Sequence, residues 1–365
     1  MDQVERKRFV NDDSRLRERA AEMVESRRAA GLDGLVGGLE TVIICVEPHN
    51  LRAAAGELLR TTGLSHRETY EDAARVACVL GLEGSADFLV TCRTRGENPF
   101  LPYNLAPKSR RLPNSRLETF VYKCRDIDAF ARIQKERGVR FMTEEPLRLG
   151  SYDYIQTPPS PYTGNALGFI QWRGEEGRYL HDRARALTWR FEKPDLPFLS
   201  DIRQLDHTAT RVKAEERDEA ILEFMSLTGY DFDFAIYVES LNSITSVARL
   251  SRDDYAQVFT SGITAFTDLD HSGPTEKYIH NYGLRVHHMA FHTENIDEVF
   301  AGLKADGMKF LVELVGSPED GLKQTFSETS PLTFLVNEYI HRYGDFDGFF
   351  TRSNVTELTR ATDKQ

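Results

Sequence analysis

The sequence has no long apolar run and no stripe of basic residues. A membrane-spanning helix needs about 20 apolar residues in succession, so we expect no transmembrane segment. Acidic residues outnumber basic ones, 57 Asp and Glu against 46 Lys and Arg, which gives a formal net charge of −11 at pH 7. This charge disfavours binding to nucleic acid or to an anionic membrane. The expected partner is therefore a small-molecule substrate.

Cysteine is scarce, and no two cysteines have the CxxC spacing of a metal or redox motif. The four cysteines, Cys45, Cys78, Cys92 and Cys124, all fall in strand-like runs of the first half, where they are expected to be buried thiols. The first five residues, 1–5, lack the apolar core of a signal peptide. These features predict a cytoplasmic protein without disulfides, and 365 residues provide enough chain for two cores.

Four strand-like starts, each followed by a helical pattern and a glycine, indicate an internal repeat. The predicted helices are 51–61, 127–136, 216–227 and 296–304, and the glycines suit helix C-caps. One column of the alignment holds Thr41, Thr119, His207 and His288. The closing glycine follows the column residue by 22 positions in modules one and three and by 19 in modules two and four. We therefore predict an α+β fold in which four βαβββ modules pair into two domains.

The domain boundaries follow from changes in composition. Residues 1–38 are predicted to be a helical extension that is rich in Arg, Glu and Ala. Whether it packs on the surface or contacts a second subunit, as in a homo-oligomer, is left open by the sequence. The expected order then runs through a first domain at 39–175, a connector at 176–203, a second domain at 204–343 and a terminal segment at 344–365.

The repeat column also carries the chemistry, because its last two members are His207 and His288. Paired modules would bring these histidines together in the middle of a curved sheet. Glu338 lies in an apolar strand, where a carboxylate is costly unless a cation or hydrogen-bond donors compensate it. Two histidines and one carboxylate leave three coordination positions open, which suits a non-haem Fe(II) oxygenase.

Each candidate ligand also has a competing interpretation. A single strand histidine is more often a hydrogen-bonded core or surface residue, and Glu338 has Arg342 and Arg352 as competing partners. His287 is adjacent to His288, and strand alternation predicts that the two face opposite sides. His292 lies towards the end of the strand, and alternation places His341 opposite to Glu338. The coincidence of both histidines with the repeat column favours the triad.

Several motifs in the second half resemble a known family. They are Leu205-Asp206-His207, Leu241-Asn242-Ser243, Glu276-Lys277-Tyr278-Ile279, His287-His288-Met289-Ala290, Gly321-Leu322-Lys323-Gln324-Thr325-Phe326, Glu338-Tyr339-Ile340-His341-Arg342-Tyr343-Gly344 and Gly348-Phe349-Phe350 with Asn354. The repeat resembles the vicinal oxygen chelate superfamily, and residues 203–360 are similar to 4-hydroxyphenylpyruvate dioxygenase. The first half resembles that family only in architecture, as a metal-free domain would.

The resemblance implies a reaction and a set of site residues. It implies Fe(II) as the metal, O₂ as co-substrate, no added 2-oxoglutarate, and oxidative decarboxylation of a 2-oxo acid with oxygenation of the same molecule. By the same resemblance, His207, His288 and Glu338 hold iron. The implied substrate-binding residues are Ser243, Gln324, Phe326, Phe350, Asn354, Val355 and His287. The segment from Gly344 onward would be a terminal helix that gates the site.

The sequence departs from the family at the end of the site away from the metal. Val355 stands where the family has an aromatic residue, His287 where it has a glutamine, and Pro274 where a second glutamine is expected. A different pocket shape predicts a substrate other than 4-hydroxyphenylpyruvate.

Two further functions stay open. Extradiol cleavage of a catechol uses the same triad, and the short spacing of 50 residues from His288 to Glu338 suits it. Against extradiol cleavage, that reaction needs a base beside the substrate, whereas the motifs around Gln324 and Phe326 belong to the 2-oxo acid branch. A non-catalytic binding protein of the same fold is the third possibility, although a binder does not need open coordination positions.

Overall fold

The structure is a computed structural model that describes residues 9–344, 346, 348–363 and 365. The predicted extension and terminal segment therefore fall partly outside the described residues. The fold consists of two curled, mixed β-sheets with flanking helices. The helices are α1 (Asp13–Ala29), α2 (Leu51–Thr61), α3 (Ile127–Glu136), α4 (Arg217–Leu227), α5 (Pro274–Tyr282), α6 (Ile296–Ala305) and α7 (Arg352–Thr362). The four repeat helices predicted from the sequence are α2, α3, α4 and α6, whose bounds match to within one residue.

The first sheet has nine strands in the order β6-β7-β8-β5-β1-β4-β3-β2-β9. They are β1 (Val36–Cys45), β2 (Ser65–Glu71), β3 (Arg75–Gly81), β4 (Asp87–Arg93), β5 (Arg116–Cys124), β6 (Leu147–Arg148), β7 (Tyr152–Gln156), β8 (Ala166–Trp172) and β9 (Arg185–Ala186). Strand β9 comes from the predicted connector and pairs with β2, so part of this connector extends the first sheet.

The second sheet has eight strands in the order β11-β12-β13-β10-β14-β17-β16-β15. They are β10 (Ile202–Arg211), β11 (Asp231–Val238), β12 (Ser243–Arg249), β13 (Ala256–Ser261), β14 (Arg285–Thr293), β15 (Phe310–Ser317), β16 (Leu322–Ser327) and β17 (Val336–Arg342). In each sheet the module-opening strands pair antiparallel at the centre, β1 with β5 and β10 with β14, and each has a parallel neighbour from its own module.

The register of the two sheets is the same at corresponding positions. Ile43 lies opposite Thr119 in the first sheet, as Ala209 lies opposite His288 in the second. Each pairing has a register shift directly beyond that position, between Ile43 and its successor in β1 and between Ala209 and its successor in β10. Since the pairing and the register shift both recur, the two sheets have the same arrangement of strands at their centres.

The same register shows what stands in the first sheet at the position of Glu338. Thr119 is opposite Ala166 in the parallel pair of β5 with β8, as His288 is opposite Val336 in the pair of β14 with β17. Two residues further along, Gly168 of β8 corresponds to Glu338 of β17. The first sheet therefore has two threonines and a glycine where the second has His207, His288 and Glu338.

Helix α1 packs against α4 of the same chain. Leu16 and Ala20 are buried in this contact, and the guanidinium group of Arg27 donates hydrogen bonds to the carbonyl oxygens of Met225, Thr228 and Tyr230. For the described part of the extension, the structure thus shows packing on the surface of its own chain.

One large core joins the two sheets. Phe88 of β4 stacks on Phe291 of β14 with ring centroids 5.9 Å apart, and Tyr122 of β5 contacts Phe224 of α4 edge to face at 5.9 Å. The concave faces of the sheets point away from this core and contain separate, smaller apolar clusters. None of the described helices has the length and hydrophobicity that a membrane crossing requires.

Candidate metal centre

Three side chains with metal-ligating atoms meet on the concave face of the second sheet. They come from the adjacent strands β10, β14 and β17. The Oε2 atom of Glu338 lies 3.2 Å from Nε2 of His207 and 3.3 Å from Nε2 of His288. Among the residues that the structure describes, this is the only group of three or more His, Cys, Asp or Glu side chains that are close enough to hold one metal ion. All three side chains are buried.

The spacing of these atoms fits a metal ion. Two ligand atoms about 2.1 Å from a metal and at right angles to each other are about 3 Å apart. Nε2 of His207 and Oε1 of Glu338 are both buried, and neither has a hydrogen-bond partner among the residues that the structure describes. Such unpartnered polar atoms are costly inside a protein unless a ligand satisfies them.

A buried carboxylate fixes the orientation of His207. Nδ1 of His207 lies 2.7 Å from Oδ1 of Asp206, and Arg342 holds both carboxylate oxygens of Asp206 at 2.6 and 3.1 Å. A carboxylate only accepts hydrogen bonds, so Nδ1 of the ring carries a proton, and Nε2, which faces Glu338, is the nitrogen that would bind a metal once it has lost its own proton. A carboxylate behind a ligating histidine is a common arrangement in metal sites.

A second chain of hydrogen bonds orients His288. Nδ1 of His288 lies 2.8 Å from Nδ1 of His287, and Nε2 of His287 lies 2.8 Å from Oε1 of Gln365. The amide nitrogen of Gln365 donates to Thr329, which leaves its oxygen to accept from His287. It follows that Nδ1 of His287 accepts from His288, and that the lone pair of Nε2 of His288 is free for a metal.

The prediction that His287 and His288 face opposite sides is wrong. Val286 and Met289 both belong to the large core, so the two residues between them point to the other side. The cause is the irregular register of β10 with β14, in which Ala209 is opposite His288 but the next residue of β10 is already opposite Val286. A β-bulge of this kind breaks the alternation of side chains.

The arginines near Glu338 in the sequence, and His341, have partners away from the triad. Arg342 pairs with Asp206, and Arg352 pairs with Glu239 on the surface, so neither is the counter-ion of Glu338. Nδ1 of His341 lies 2.5 Å from the carbonyl oxygen of Thr293. None of these three side chains therefore replaces a member of the triad.

The electrostatics of the three side chains are those of a site that exchanges a proton for a metal. Burial disfavours the charged form of His207, but Glu338 and Asp206 outweigh it and raise the pKa of His207 to about 9. Burial raises the pKa of Glu338 and lowers the pKa of His288 well below its usual value. Without metal, a proton on His207 therefore neutralises Glu338 at neutral pH, and metal binding must release it.

A small cavity of about 30 Å³ is lined by two of the three side chains, His288 and Glu338. Of the residues predicted to bind substrate, it is lined by Gln324, Phe326, Phe350 and Val355. His287 is not in its lining but contacts Phe326, with ring centroids 5.8 Å apart. The structure thus brings five of the seven predicted residues to the cavity or its wall.

The remaining two predicted residues lie outside the lining. Ser243, at the start of β12, is buried, and its hydroxyl has no hydrogen-bond partner. Asn354 in α7 points at the edge of the sheet, where its amide nitrogen is 3.4 Å from the carbonyl oxygen of Val315. Sequence reasoning assigned no role to Asp206 or Gln365, and it considered Arg342 only as a competing partner of Glu338. Asp206 is adjacent to a ligand, whereas no sequence pattern connects Gln365 with His287.

Comparison with solved structures shows which fold this is. The chain matches a triple mutant of 4-hydroxymandelate synthase from Streptomyces coelicolor with a TM-score of 0.67 and 14% identity, over 90% of this chain and 98% of that one. It also matches a fusion of a xylose isomerase-like TIM barrel with 4-hydroxyphenylpyruvate dioxygenase, with a TM-score of 0.59 and 16% identity, over 90% of this chain and 52% of that one. No protein-family model matches the sequence, and no curated protein matches it.

The fold is therefore the vicinal oxygen chelate fold, built from two curled mixed sheets with flanking helices. More narrowly, it is the two-domain form that resembles 4-hydroxyphenylpyruvate dioxygenase. The resemblance inferred from the sequence motifs is confirmed at the level of the fold.

Replacing Asp206 with alanine is expected to weaken metal binding by about 10- to 100-fold, the usual effect of removing a carboxylate behind a ligating histidine. The substitution removes the acceptor for Nδ1 of His207 and leaves Arg342 without its partner. Competition with a chelator measures the affinity. Glu294→Ala is the matched control, since this substitution breaks an exposed ion pair with Arg203 and should not change the metal affinity. An unchanged affinity in Asp206→Ala would show that His207 needs no orientation by this carboxylate.

Proposed function

We propose that this protein is a non-haem Fe(II) dioxygenase that acts on a 2-oxo acid, decarboxylates it oxidatively and oxygenates the same molecule. The observation that carries the proposal is the buried triad His207, His288 and Glu338, whose ligand atoms lie within 4.8 Å of one another beside a cavity. The two solved structures compared above are named as 4-hydroxymandelate synthase and as a fusion that contains 4-hydroxyphenylpyruvate dioxygenase. These names support the same class of reaction.

The metal would supply Lewis acidity and redox chemistry, with three ligands from the protein and three positions for substrate and O₂. The residues of the chain do the rest. His207, His288 and Glu338 hold the ion, and Asp206 and His287 keep the protons of the two histidines on Nδ1. The net charge of the ligands is −1, which leaves a positive site for the carboxylate of a 2-oxo acid.

The cavity walls suit a substrate with an apolar middle and a polar group. Phe350 lies against His207 with ring centroids 5.1 Å apart, and Phe326 lies against His288 at 4.8 Å. These rings exclude water from the triad. The side-chain amide of Gln324 is fully buried, and neither its nitrogen nor its oxygen has a partner in the described chain. Its donor and acceptor are therefore available to a polar group of the substrate.

Substrate entry requires α7 to move. Val355, Leu358 and Thr359 of this helix line the cavity, whose volume of about 30 Å³ holds one water molecule but no organic acid. The α7 helix thus has the position of a gate. This is the role that the resemblance implied for the terminal segment.

Extradiol cleavage is less well supported, because no base outside the triad lines the cavity among the described residues. Apart from the triad, the only titratable side chain in the lining is Arg211, and its pKa of about 10 keeps it protonated at neutral pH. A protonated guanidinium group does not accept a proton from a catechol.

Turnover is expected to consume O₂ and release CO₂ from the substrate without added 2-oxoglutarate. The test supplies Fe(II)-loaded protein with a panel of 2-oxo acids and catechols and measures O₂ uptake together with CO₂. Glu338→Gln, which retains the shape of the side chain, is the inactive control. Ring cleavage of a catechol without CO₂ would transfer the assignment to the extradiol reaction. Tight binding without O₂ uptake, for every compound, would indicate a binding protein.

A further inference from the structure

The cavity beside the metal centre contains a buried positive charge that the proposed reaction has not used. Arg211 lies on the concave face of β10, four residues beyond His207, so strand alternation puts both side chains on the same side. Its side chain lines the cavity, and the residue is only 3% exposed.

No carboxylate neutralises Arg211 among the residues that the structure describes. Its guanidinium nitrogens donate to three threonine hydroxyls, of Thr260 at 2.9 Å, Thr275 at 3.0 Å and Thr362 at 3.2 Å. Its Nε–H group is buried and has no partner in the described part of the chain. Burial lowers the pKa of Arg211 to about 10, so the side chain is still a cation at neutral pH.

Two further buried arginines add to the positive potential at this end of the site. Arg116 and Arg285 are each about 1% exposed, and Arg285 of β14 lies directly opposite Arg211 of β10. Arg116 donates to Asn104 and to a backbone carbonyl oxygen, and the Nη1 group of Arg285 has no partner. Neither of them forms an ion pair within the described part of the chain. An isolated buried charge is strongly destabilising, and a cluster of three points to an anion that binds there.

Arg211 lies further along β10 than the triad. At about 3.3 Å per residue, its Cα atom is about 13 Å from that of His207. The Arg211 side chain extends into the cavity that also contacts His288 and Glu338. A substrate held by the metal at one end would therefore present its other end to this guanidinium group.

We propose that Arg211 binds a second anionic group of the substrate, so that the substrate is an elongated 2-oxo acid with a carboxylate at the end away from the metal. This inference rests on the proposed function for the metal-bound end only. A carboxylate matches the donors of a guanidinium group and would accept a hydrogen bond from the unpartnered Nε–H group. The phenyl rings of Phe326 and Phe350 would enclose the apolar middle of the molecule.

The structural role that competes with this proposal is a tie between β10 and α7. The hydrogen bond from Arg211 to Thr362 provides such a tie. A neutral donor would satisfy the three threonine hydroxyls without the cost of burying a charge. The tie alone therefore does not account for an arginine at this position.

Two pairs of acids that differ only in the distal carboxylate test the proposal. They are 4-carboxyphenylpyruvate with phenylpyruvate, and 2-oxoadipate with 2-oxohexanoate. We expect the protein to favour the dicarboxylate of at least one pair by about 10- to 100-fold in kcat/KM, the usual effect of a charge-assisted pair. In Arg211→Met the preference, measured as the ratio of the two kcat/KM values within each pair, should vanish or reverse. Thr362→Val, which breaks the tie but keeps the charge, should retain the preference.

A binding measurement separates this inference from the proposed function. Calorimetry with metal-free protein should show that 2-oxoadipate or 4-carboxyphenylpyruvate binds the natural chain more tightly than Arg211→Met. If binding depends on Arg211 but no acid is turned over, the anion site stands and the dioxygenase proposal fails. If acids are turned over with no preference for either dicarboxylate, the anion site is refuted and the dioxygenase proposal stands. An equal loss for both members of each pair in Arg211→Met and in Thr362→Val would reduce Arg211 to a structural tie.

Discussion

Replacing His207, His288 or Glu338 with alanine is expected to abolish Fe(II) binding and turnover. The loss of metal affinity should exceed the 10- to 100-fold loss that follows removal of a residue hydrogen-bonded to a ligand. Each substitution removes one of only three protein ligands and leaves the other two buried with unsatisfied polar atoms. Iron content after anaerobic loading and gel filtration, about one per chain in the natural protein, measures the effect.

Two histidines of the same strand provide the controls. His292→Ala should leave iron content unchanged, because His292 packs near His341 at the far end of β14 and does not belong to the triad. His287→Ala should weaken binding by only about 10- to 100-fold, since His287 accepts a hydrogen bond from His288 without facing the metal. Complete loss of iron in His287→Ala, with retention in His288→Ala, would exchange the roles of these two residues.

The compound 4-hydroxyphenylpyruvate is expected to be a poor substrate. Its kcat/KM should be lower than that of the best 2-oxo acid in a panel by roughly two to three powers of ten. Val355 lines the cavity where the family has an aromatic ring, and a lost stacking contact removes about 0.5–1.5 kcal/mol. A buried phenol without a suitable partner costs roughly 1–3 kcal/mol more. Arg211 strengthens the expectation, since a neutral phenol does not compensate its charge.

Steady-state rates for 4-hydroxyphenylpyruvate, phenylpyruvate and the dicarboxylates decide the matter. Val355→Phe restores a ring at the cavity wall and should improve the relative rate for 4-hydroxyphenylpyruvate, with Thr356→Phe, one residue on and away from the cavity, as the control. If 4-hydroxyphenylpyruvate is turned over as fast as any other acid, the substitutions at positions 355, 287 and 274 do not alter specificity.

The sequence predicted the repeat, the helices and the meeting of His207 with His288 because these depend on spacing. Helix bounds follow from local patterns, and the column residue is fixed by the strand in which each module begins. Glu338 was found for a different reason, as a carboxylate in an apolar strand that has no good explanation without a cation.

What the sequence could not show depends on long-range geometry. The orientation of His287 depends on a β-bulge between β10 and β14, which no alternation rule detects. The contact of Gln365 with His287 joins residues 78 positions apart in the sequence. The lack of a counter-ion for Arg211 among the described residues becomes visible only when its neighbouring side chains are placed.

The glycine at position 168 bears on the history of the two halves. The Cβ atom of any other residue at this position would lie 2.7 Å from the hydroxyl oxygen of Tyr154, which itself holds Gln156 at 2.6 Å. A carboxylate at position 168 would therefore displace Tyr154, which occupies the space that corresponds to the Glu338 side chain in the second sheet. If the two halves arose by duplication, their divergence is hard to reverse by single substitutions, because the non-ligating half has been repacked around the absence of a side chain.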